Sequence, residues 1–382
     1  MGFHEFSSPY DWSRIAAYKR TAKAAFGGMI DLSVGSPVDP VPDSVRKALA
    51  VAANDPNAYG YPATAGTADL RAAIAEWFSA ARNVDLQAIH ADVVPTVGSK
   101  EGVALMASLL HFGEDDVVVQ PKVSYPTYEI GTQLAGAQVL KADDVADVAS
   151  WRNVPGVKAV WVNSPCNPTG EVYSAERMAG IVAAAREIGA VVLSDECYAL
   201  MQWRGATNSA DDDPLQSTPC ALRSDVCAGS AEGVLVLYSL SKQSNMAGYR
   251  TAFIAGDESL IASMSAYRKQ IGQIIPGPVQ AAMAAGLRDL ESVKVQHARY
   301  RERLGVLVSA LRAYGYCTDM PDGALYVWVR AKSGDCWTDM EQLAKIGIIA
   351  SPGEFYGAPE CLRFSATASD EAIASAAERL AR

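Results

Sequence analysis

From Thr67 to about residue 255 the chain alternates stretches whose apolar residues recur at helical spacing with short runs of Val, Ile and Leu. This pattern predicts helices over about 67–82, 99–111, 125–135 and 174–188. Strands are predicted over 92–96, 116–120, 158–163, 190–194, 234–238 and 252–255. Runs such as Val191-Val192-Leu193 and Val234-Leu235-Val236-Leu237 carry no polar side, as expected of strands covered on both faces. The fold class implied is α/β, a mainly parallel sheet between helices, followed by a smaller α+β unit. Before the sheet, residues 1–30 read as an irregular arm with a short helix near Trp12 to Ala25, and Asp43 or Ser44 as the cap of a helix through about Ala53. After Pro276-Gly277-Pro278 a helical pattern runs to about Tyr314. Strands at Tyr316–Met320, Leu325–Arg330 and Cys361–Ser365 follow, with helices near 338–345 and 369–381. The stretch from Arg204 to Glu232, which includes Asp211-Asp212-Asp213-Pro214, reads as a solvent-exposed insertion.

Composition narrows the function more than the fold. Of 382 residues, 49% are hydrophobic and 20% charged, and no uncharged apolar run is long enough to span a bilayer. The first residues, Met1-Gly2-Phe3-His4-Glu5-Phe6, lack the basic and apolar regions of a secretory signal, so a cytoplasmic location is expected. Without an apolar run of that length no membrane segment is expected, and a net charge of -10 argues against a nucleic-acid partner and requires any anionic ligand to meet specific arginines. The seven cysteines are scattered and the four histidines stand at 4, 90, 111 and 297, with no zinc-protease, nucleophile-elbow or P-loop spacing. No metal is expected.

Ligands of parallel sheets sit at the carboxyl ends of the strands, and the chemically suggestive residues fall just after predicted strands. Gly98-Ser99-Lys100-Glu101 opens a helix, where free amides can hold a phosphate, although the same turn serves simply as a helix cap. Asn163-Ser164-Pro165-Cys166-Asn167-Pro168-Thr169-Gly170 is a proline-stiffened loop that presents Asn167, or else a tight turn. Ser194-Asp195-Glu196-Cys197-Tyr198 puts a carboxylate at a buried strand end, where it needs a cationic partner or acts as a cap. Ser239-Leu240-Ser241-Lys242 places one amine among hydroxyls, with Arg250 eight residues later. Asn57-Ala58-Tyr59-Gly60-Tyr61-Pro62 is a loop with exposed aromatics, a surface crossing or the rim of a site.

Asn-Pro-Thr-Gly, Asp-x-x-Tyr, Ser-x-Ser-Lys with its following Arg, and a late Arg-x-Ser, in this order, resemble the class I/II aminotransferases of pyridoxal phosphate fold type I. The likeness covers nearly the whole chain. It implies an N-terminal arm, 1–41, joined to the small domain, a large cofactor-binding domain, 42–285, and a C-terminal small domain, 286–382. It implies pyridoxal 5'-phosphate held by Lys242 as a Schiff base, with Asp195 on the pyridine nitrogen, Asn167 and Tyr198 on the ring oxygen, and Tyr125 stacked on the ring. The phosphate is implied to lie against Gly98, Ser99, Lys100, Ser239, Ser241 and Arg250. Tyr61 corresponds to the tyrosine that reaches the neighbour's phosphate in a homodimer. Arg363 corresponds to the arginine that grips the substrate α-carboxylate, with Gly35 and Asn167 alongside.

Within the family, the segments 32–40, 60–67, 194–198, 276–283 and 351–357 resemble the actinobacterial N-succinyldiaminopimelate aminotransferases. That likeness implies amino transfer between glutamate and N-succinyl-2-amino-6-oxopimelate on the route to lysine and diaminopimelate. Another class I aminotransferase, acting on aspartate or aromatic amino acids, or a fold-related β-lyase shares the same cofactor residues. A ligand-binding protein without turnover is disfavoured by the presence of Lys242, Asp195, Tyr198 and Arg363. The distal anion of the substrate needs its own receptor, with Arg268, Lys269 or a main-chain nest as candidates.

Overall fold

In the computed structural model, residues 11–203 and 218–382 are described. The chain forms two compact units, one of Ser36–Arg301 with Pro321–Ala324, the other of Met1–Gly35, Glu302–Met320 and Leu325–Arg382. The helix Leu290–Ala313 runs from one unit into the other, so its apolar periodicity carries no mark of the boundary.

The larger unit is built on a seven-stranded sheet. In spatial order its strands are Ala91–Val97, Thr251–Asp257, Val234–Ser239, Val191–Asp195, Val157–Asn163, Val117–Pro121 and Gln138–Ala142. Successive residues of the central strands face opposite cores. Val160, Val192, Val234, Val236 and Phe253 pack on one side. Ala159, Trp161, Leu193, Leu235, Leu237 and Ile254 pack on the other. Both faces are therefore buried, which explains why these strands read as continuous apolar runs.

The strand Thr251–Asp257 runs antiparallel to both of its neighbours, and the remaining pairings are parallel. The edge strand Gln138–Ala142 escapes sequence reading because Gln138 and Lys141 are exposed and interrupt any apolar run. A helix, Glu258–Gln270, follows the reversed strand and is capped by Asp257, whose Oδ1 accepts from the amides of Ser259 and Leu260.

Several expectations need correction. The long helix after Pro276 is two helices, Gly277–Arg288 and Leu290–Ala313. Asp289 starts the second by accepting from the Ser292 amide at 3.1 Å and the Ser292 hydroxyl at 2.8 Å, a capping interaction that hydrophobic spacing does not register. Neither Asp43 nor Ser44 caps the helix Asp43–Ala53; Pro42 precedes it, and the Ser44 hydroxyl instead donates to Asp289. Residues 316–320 form no strand. Tyr316 is buried there, and its hydroxyl donates to Asp339 Oδ2 at 2.8 Å. Residues 204–217 of the expected exposed insertion lie outside the described residues, and in its remainder, where Ser224, Asp225, Ala228, Gly229 and Glu232 are exposed, several apolar residues instead join the core. Cys220, Ala221, Leu222, Val226, Cys227 and Ala231 are all buried. Arg82 draws this segment in by donating to Thr218 Oγ1 at 2.6 Å and the Pro219 carbonyl at 2.9 Å while it pairs with buried Glu196 at 2.9 Å.

The smaller unit holds an antiparallel sheet of Ser351–Pro352, Cys361–Ser365 and Tyr326–Arg330, with Cys361–Ser365 in the middle. A two-residue pairing joins Ile30–Asp31 to Ile348–Ile349 in parallel. The helices Ile15–Ala24, Cys336–Lys345 and Asp370–Leu380 belong to this unit.

Candidate active site

The carboxyl ends of the strands of the larger unit gather most of the residues singled out above. Reversal of the strand Thr251–Asp257 is what brings Arg250 to this edge. Val97 and Ser239, the last residues of its two neighbours, are in register with Thr251 and Ala252. Arg250 adopts a left-handed backbone, φ +58°, and its Nη1 donates to the Ala247 carbonyl at 2.8 Å. Its guanidinium lies so close to Gly98 that a β-carbon on that residue would stand 2.1 Å from Nη2. Gly98 itself has φ +79°. Ser99 and Lys100 occupy the first turn of the helix Ser99–Leu109, where backbone amides lack intrahelical partners; the Lys100 side chain is exposed. The hydroxyl of Ser239 donates to that of Ser241 at 2.8 Å. A helix N-terminus, paired hydroxyls and a guanidinium make an anion cradle.

Lys242 lies in the one-turn helix Leu240–Gln243 directly after the strand Val234–Ser239, and is half-buried. Its neighbour Gln243 is buried, accepts from the Tyr238 hydroxyl at 2.7 Å and donates to the Gly286 carbonyl at 3.3 Å. The turn that presents the lysine is thus pinned from the core side.

Asp195 ends the strand Val191–Asp195 and is 6% exposed. Burial pushes its carboxyl above the usual range, opposed by the Tyr128 hydroxyl, which donates to Oδ2 at 2.7 Å, and the Cys197 amide, which donates to Oδ1 at 3.1 Å. The Cys197 thiol is pushed well up by burial and by Asp195, while the Ser99 hydroxyl and the charge of Lys242 act the other way. Asp195 is in register with Leu237, five residues before Lys242, and Ser239 of that same strand is in register with Ala252, two residues after Arg250, so the strand ends that carry the buried carboxylate, the amine and the anion cradle lie side by side.

Asn163 ties the next strand end in. It is in register with Asp195, its Nδ2 donates to the Asp195 carbonyl at 2.9 Å, and its Oδ1 accepts from the Asn167 amide at 2.8 Å. Asn167 and Tyr198 are both buried, and the loop that follows the strand Val157–Asn163 and carries Asn167 has cis peptides at Ser164-Pro165 and Asn167-Pro168. Tyr125 is half-buried and meets Tyr128 edge-on, with centroids 5.8 Å apart. Tyr61 is not part of this cluster; its side chain is fully exposed on the loop, as is most of Tyr59.

In the smaller unit, Arg363 is 5% exposed on the middle strand. Its guanidinium lies 4.0 Å from the Tyr326 ring centroid and 4.8 Å from that of Tyr356. Nη2 donates to the Ser33 carbonyl at 2.8 Å. Aromatic stacking fixes the plane of the fork, which suits two-point contact with a carboxylate. Gly35 is required beside it, because a β-carbon there would meet the Tyr326 hydroxyl at 2.2 Å.

Arg268 is corrected as a receptor for a distal anion. It is fully buried, and its two terminal nitrogens donate to the two carboxylate oxygens of Glu101 at 2.8 and 3.1 Å. Glu101 in turn accepts from the Val97 amide at 3.1 Å, so this pair braces the turn that leads into Gly98.

Sequence reasoning missed Tyr128, Asn163 and Cys197 as members of the cluster. Tyr128 had one available signal, its position one helical turn after Tyr125 on the same face.

The whole chain compares closely with known proteins. Residues 27–380 match the family described as aminotransferase class I and II. The chain is 40% identical over 373 residues to the 4-dedimethylamino-4-oxo-anhydrotetracycline transaminase OxyQ of Streptomyces rimosus, covering 97% of this chain and 98% of that one. It is also 40% identical over 377 residues to the probable aminotransferase Rv1178 of Mycobacterium tuberculosis, covering 97% and 84%. Among solved structures it resembles a probable N-succinyldiaminopimelate aminotransferase from Thermus thermophilus, with TM-score 0.83, 27% identity and coverage of 97% and 99%.

A doubly covered sheet with an amine, a buried carboxylate and an anion cradle at one edge defines a fold type I enzyme of pyridoxal phosphate. The chain belongs to the class I and II aminotransferases. The residues present fit that cofactor. The cradle leaves no room for a side chain on Gly98, and Asp195 is a buried carboxylate whose charge a cationic ring nitrogen would neutralise.

Proposed function

We propose that this aminotransferase exchanges an amino group between N-succinyl-LL-2,6-diaminopimelate and 2-oxoglutarate in the route to lysine and diaminopimelate. Support for the substrate comes from the segments at 32–40, 60–67 and 351–357, which resemble N-succinyldiaminopimelate aminotransferases, and from the likeness to the probable Thermus thermophilus enzyme of that name. The observation that carries the chemistry is the cluster of Lys242, Asp195 and the anion cradle at one sheet edge.

When bound, pyridoxal phosphate supplies the carbonyl that receives the amino group and a ring that accepts electrons from the substrate α-carbon. Lys242 would anchor it, and its amine, when free, would take the proton from the substrate α-carbon. Asp195 keeps a proton at the ring nitrogen. Asn167 and Tyr198 hold the ring oxygen, and Tyr125 covers the ring face. Gly98, the Ser99 and Lys100 amides, Ser239, Ser241 and Arg250 take the phosphate. Arg363 binds the α-carboxylate, with Gly35 beside it, and Asn167 also contacts the substrate. Tyr61, fully exposed, serves the site of a second copy in a homodimer. A cytoplasmic location fits this reading. No helix among the described residues is long and apolar enough to cross a membrane.

Identity of 40% to OxyQ, over 97% of this chain, supports a second reading in which the oxo substrate is a polycyclic ketone. Steady-state amino transfer separates the two. With 2-oxoglutarate as acceptor, the succinylated diamine should give the highest kcat/KM in a panel of amines. A higher value for the amine of an anhydrotetracycline would replace it.

A further inference from the structure

We propose that Tyr128 is a positioning residue that keeps the shared proton on the cofactor's ring nitrogen, by donating its phenol hydrogen to Asp195 Oδ2 at 2.7 Å. The inference rests on the reading above, in which Asp195 faces that nitrogen. A proton between a buried carboxylate and a pyridine nitrogen has two resting places. On nitrogen it leaves an ion pair; on the carboxylate it leaves two neutral groups. Burial favours the neutral arrangement, because it penalises both charges. Donors to the carboxylate favour the ion pair, because they stabilise the charged oxygen. The positive ring nitrogen is the form that draws electrons from the substrate carbon, so the donors decide how good an electron acceptor the ring is.

The contact of the Tyr128 hydroxyl with the Asp195 carboxylate is well built. Tyr128 is 1% exposed. Its ring stacks on Trp161 with centroids 4.5 Å apart and planes 17° from parallel. Its amide donates to the Tyr125 carbonyl at 3.2 Å, and its carbonyl accepts from the Thr132 hydroxyl at 2.9 Å. Burial and the neighbouring Asp195 push the phenol well above its ordinary range, so it remains a donor at any working pH. The same side chain meets Tyr125 edge-on, and thereby links the residue that covers the ring face to the one at its nitrogen.

The test uses the holoenzyme loaded with pyridoxal phosphate labelled with 15N in the ring, compared among wild type, Tyr128→Phe, Tyr128→His and Asp195→Asn. The wild-type nitrogen should resonate as a protonated pyridine. In Tyr128→Phe, which keeps the ring on Trp161, it should move toward the unprotonated position. Loss of a hydrogen bond to a charged group should also lower kcat by about tenfold or more, with KM changed by less than about twofold. Tyr128→His retains an N–H donor and should restore the protonated signal at least in part. If the phenylalanine variant does not fold, Tyr128→Met deletes the same donor and carries the same expectation. A nitrogen as protonated in the donor-less variant as in wild type overturns the proposal. Should Asp195→Asn shift the nitrogen signal while Tyr128→Phe does not, the role of Asp195 stands and only that of Tyr128 falls; no shift in Asp195→Asn removes both.

Discussion

A β-carbon on Gly98 would stand 2.1 Å from Nη2 of Arg250. Two residues far apart in the chain are thus fitted to each other without a side chain's width between them, at the point where a phosphate is proposed to lie. Gly98→Ala would have to displace the guanidinium and hold alanine at φ +79°, a region that costs non-glycine residues about 1–3 kcal/mol. We expect this variant to bind pyridoxal phosphate at least about tenfold more weakly, by the arithmetic of about 1.4 kcal/mol per decade. Titration of the cofactor-free protein by absorbance measures this.

The burial of Asp195 gives the cofactor-free protein a pH dependence of known sign. Its carboxyl is raised above the ordinary value by burial, so over the interval from about 4 upward to its native value the folded state holds a proton that the unfolded state has lost. Stability from this group is therefore lost as pH rises through that interval. Asp195→Asn should make the cofactor-free protein more resistant to urea at neutral pH while weakening cofactor binding. Urea midpoints with and without cofactor test both halves, and a variant less stable in the cofactor-free state contradicts the electrostatic account.

Arg268 and Glu101 predict a structural defect and not a substrate one. The arginine is fully buried and makes a two-point ion pair, so Arg268→Ala strands a partly buried carboxylate and should cost about 3 kcal/mol of stability. The ratio of KM values for dicarboxylate and monocarboxylate amino donors should stay as in wild type. A selective rise for dicarboxylates would restore Arg268 as the distal receptor.

Arg363 carries the opposite expectation. Its fork is fixed between Tyr326 and Tyr356, and Arg363→Lys keeps the charge but loses the two-point geometry. Losing a charge-assisted hydrogen bond of about 1.5–3 kcal/mol should raise KM for α-amino acids at least about tenfold. Cofactor affinity, read by the same absorbance titration, should be unchanged.

The placement of Asn167, Asp195 and Lys242 was legible because each lies within about five residues of the end of an apolar run, which is what a doubly covered strand looks like, while their roles came from the resemblance of their motifs to those of the class I/II aminotransferases. Strand direction leaves no such mark. Nothing in Thr251–Asp257 announces that it is reversed, yet that reversal delivers Arg250 to the cradle. The break at Asp289 was hidden because apolar spacing continues through it, and only the Asp289–Ser292 capping pair records it. Arg268 beside Lys269 reads as a candidate anion receptor, although the helix Glu258–Gln270 turns the arginine inward to a carboxylate 167 positions away. Tyr128 went unassigned for the same reason, since its partner lies 67 positions further on.

The central claim is amino transfer through Lys242 with the succinylated diamine as substrate. Its most direct test is a half-reaction, in which the cofactor-loaded protein is mixed separately with glutamate, N-succinyl-LL-2,6-diaminopimelate and a panel of common amino acids, and conversion of the cofactor to its amine form is followed by absorbance. The account predicts conversion with glutamate and the succinylated diamine, little with the others, and none with any donor in Lys242→Ala. Conversion by other amino acids with none by the succinylated diamine would contradict the assigned substrate, and conversion in the lysine variant at the wild-type rate would contradict the mechanism.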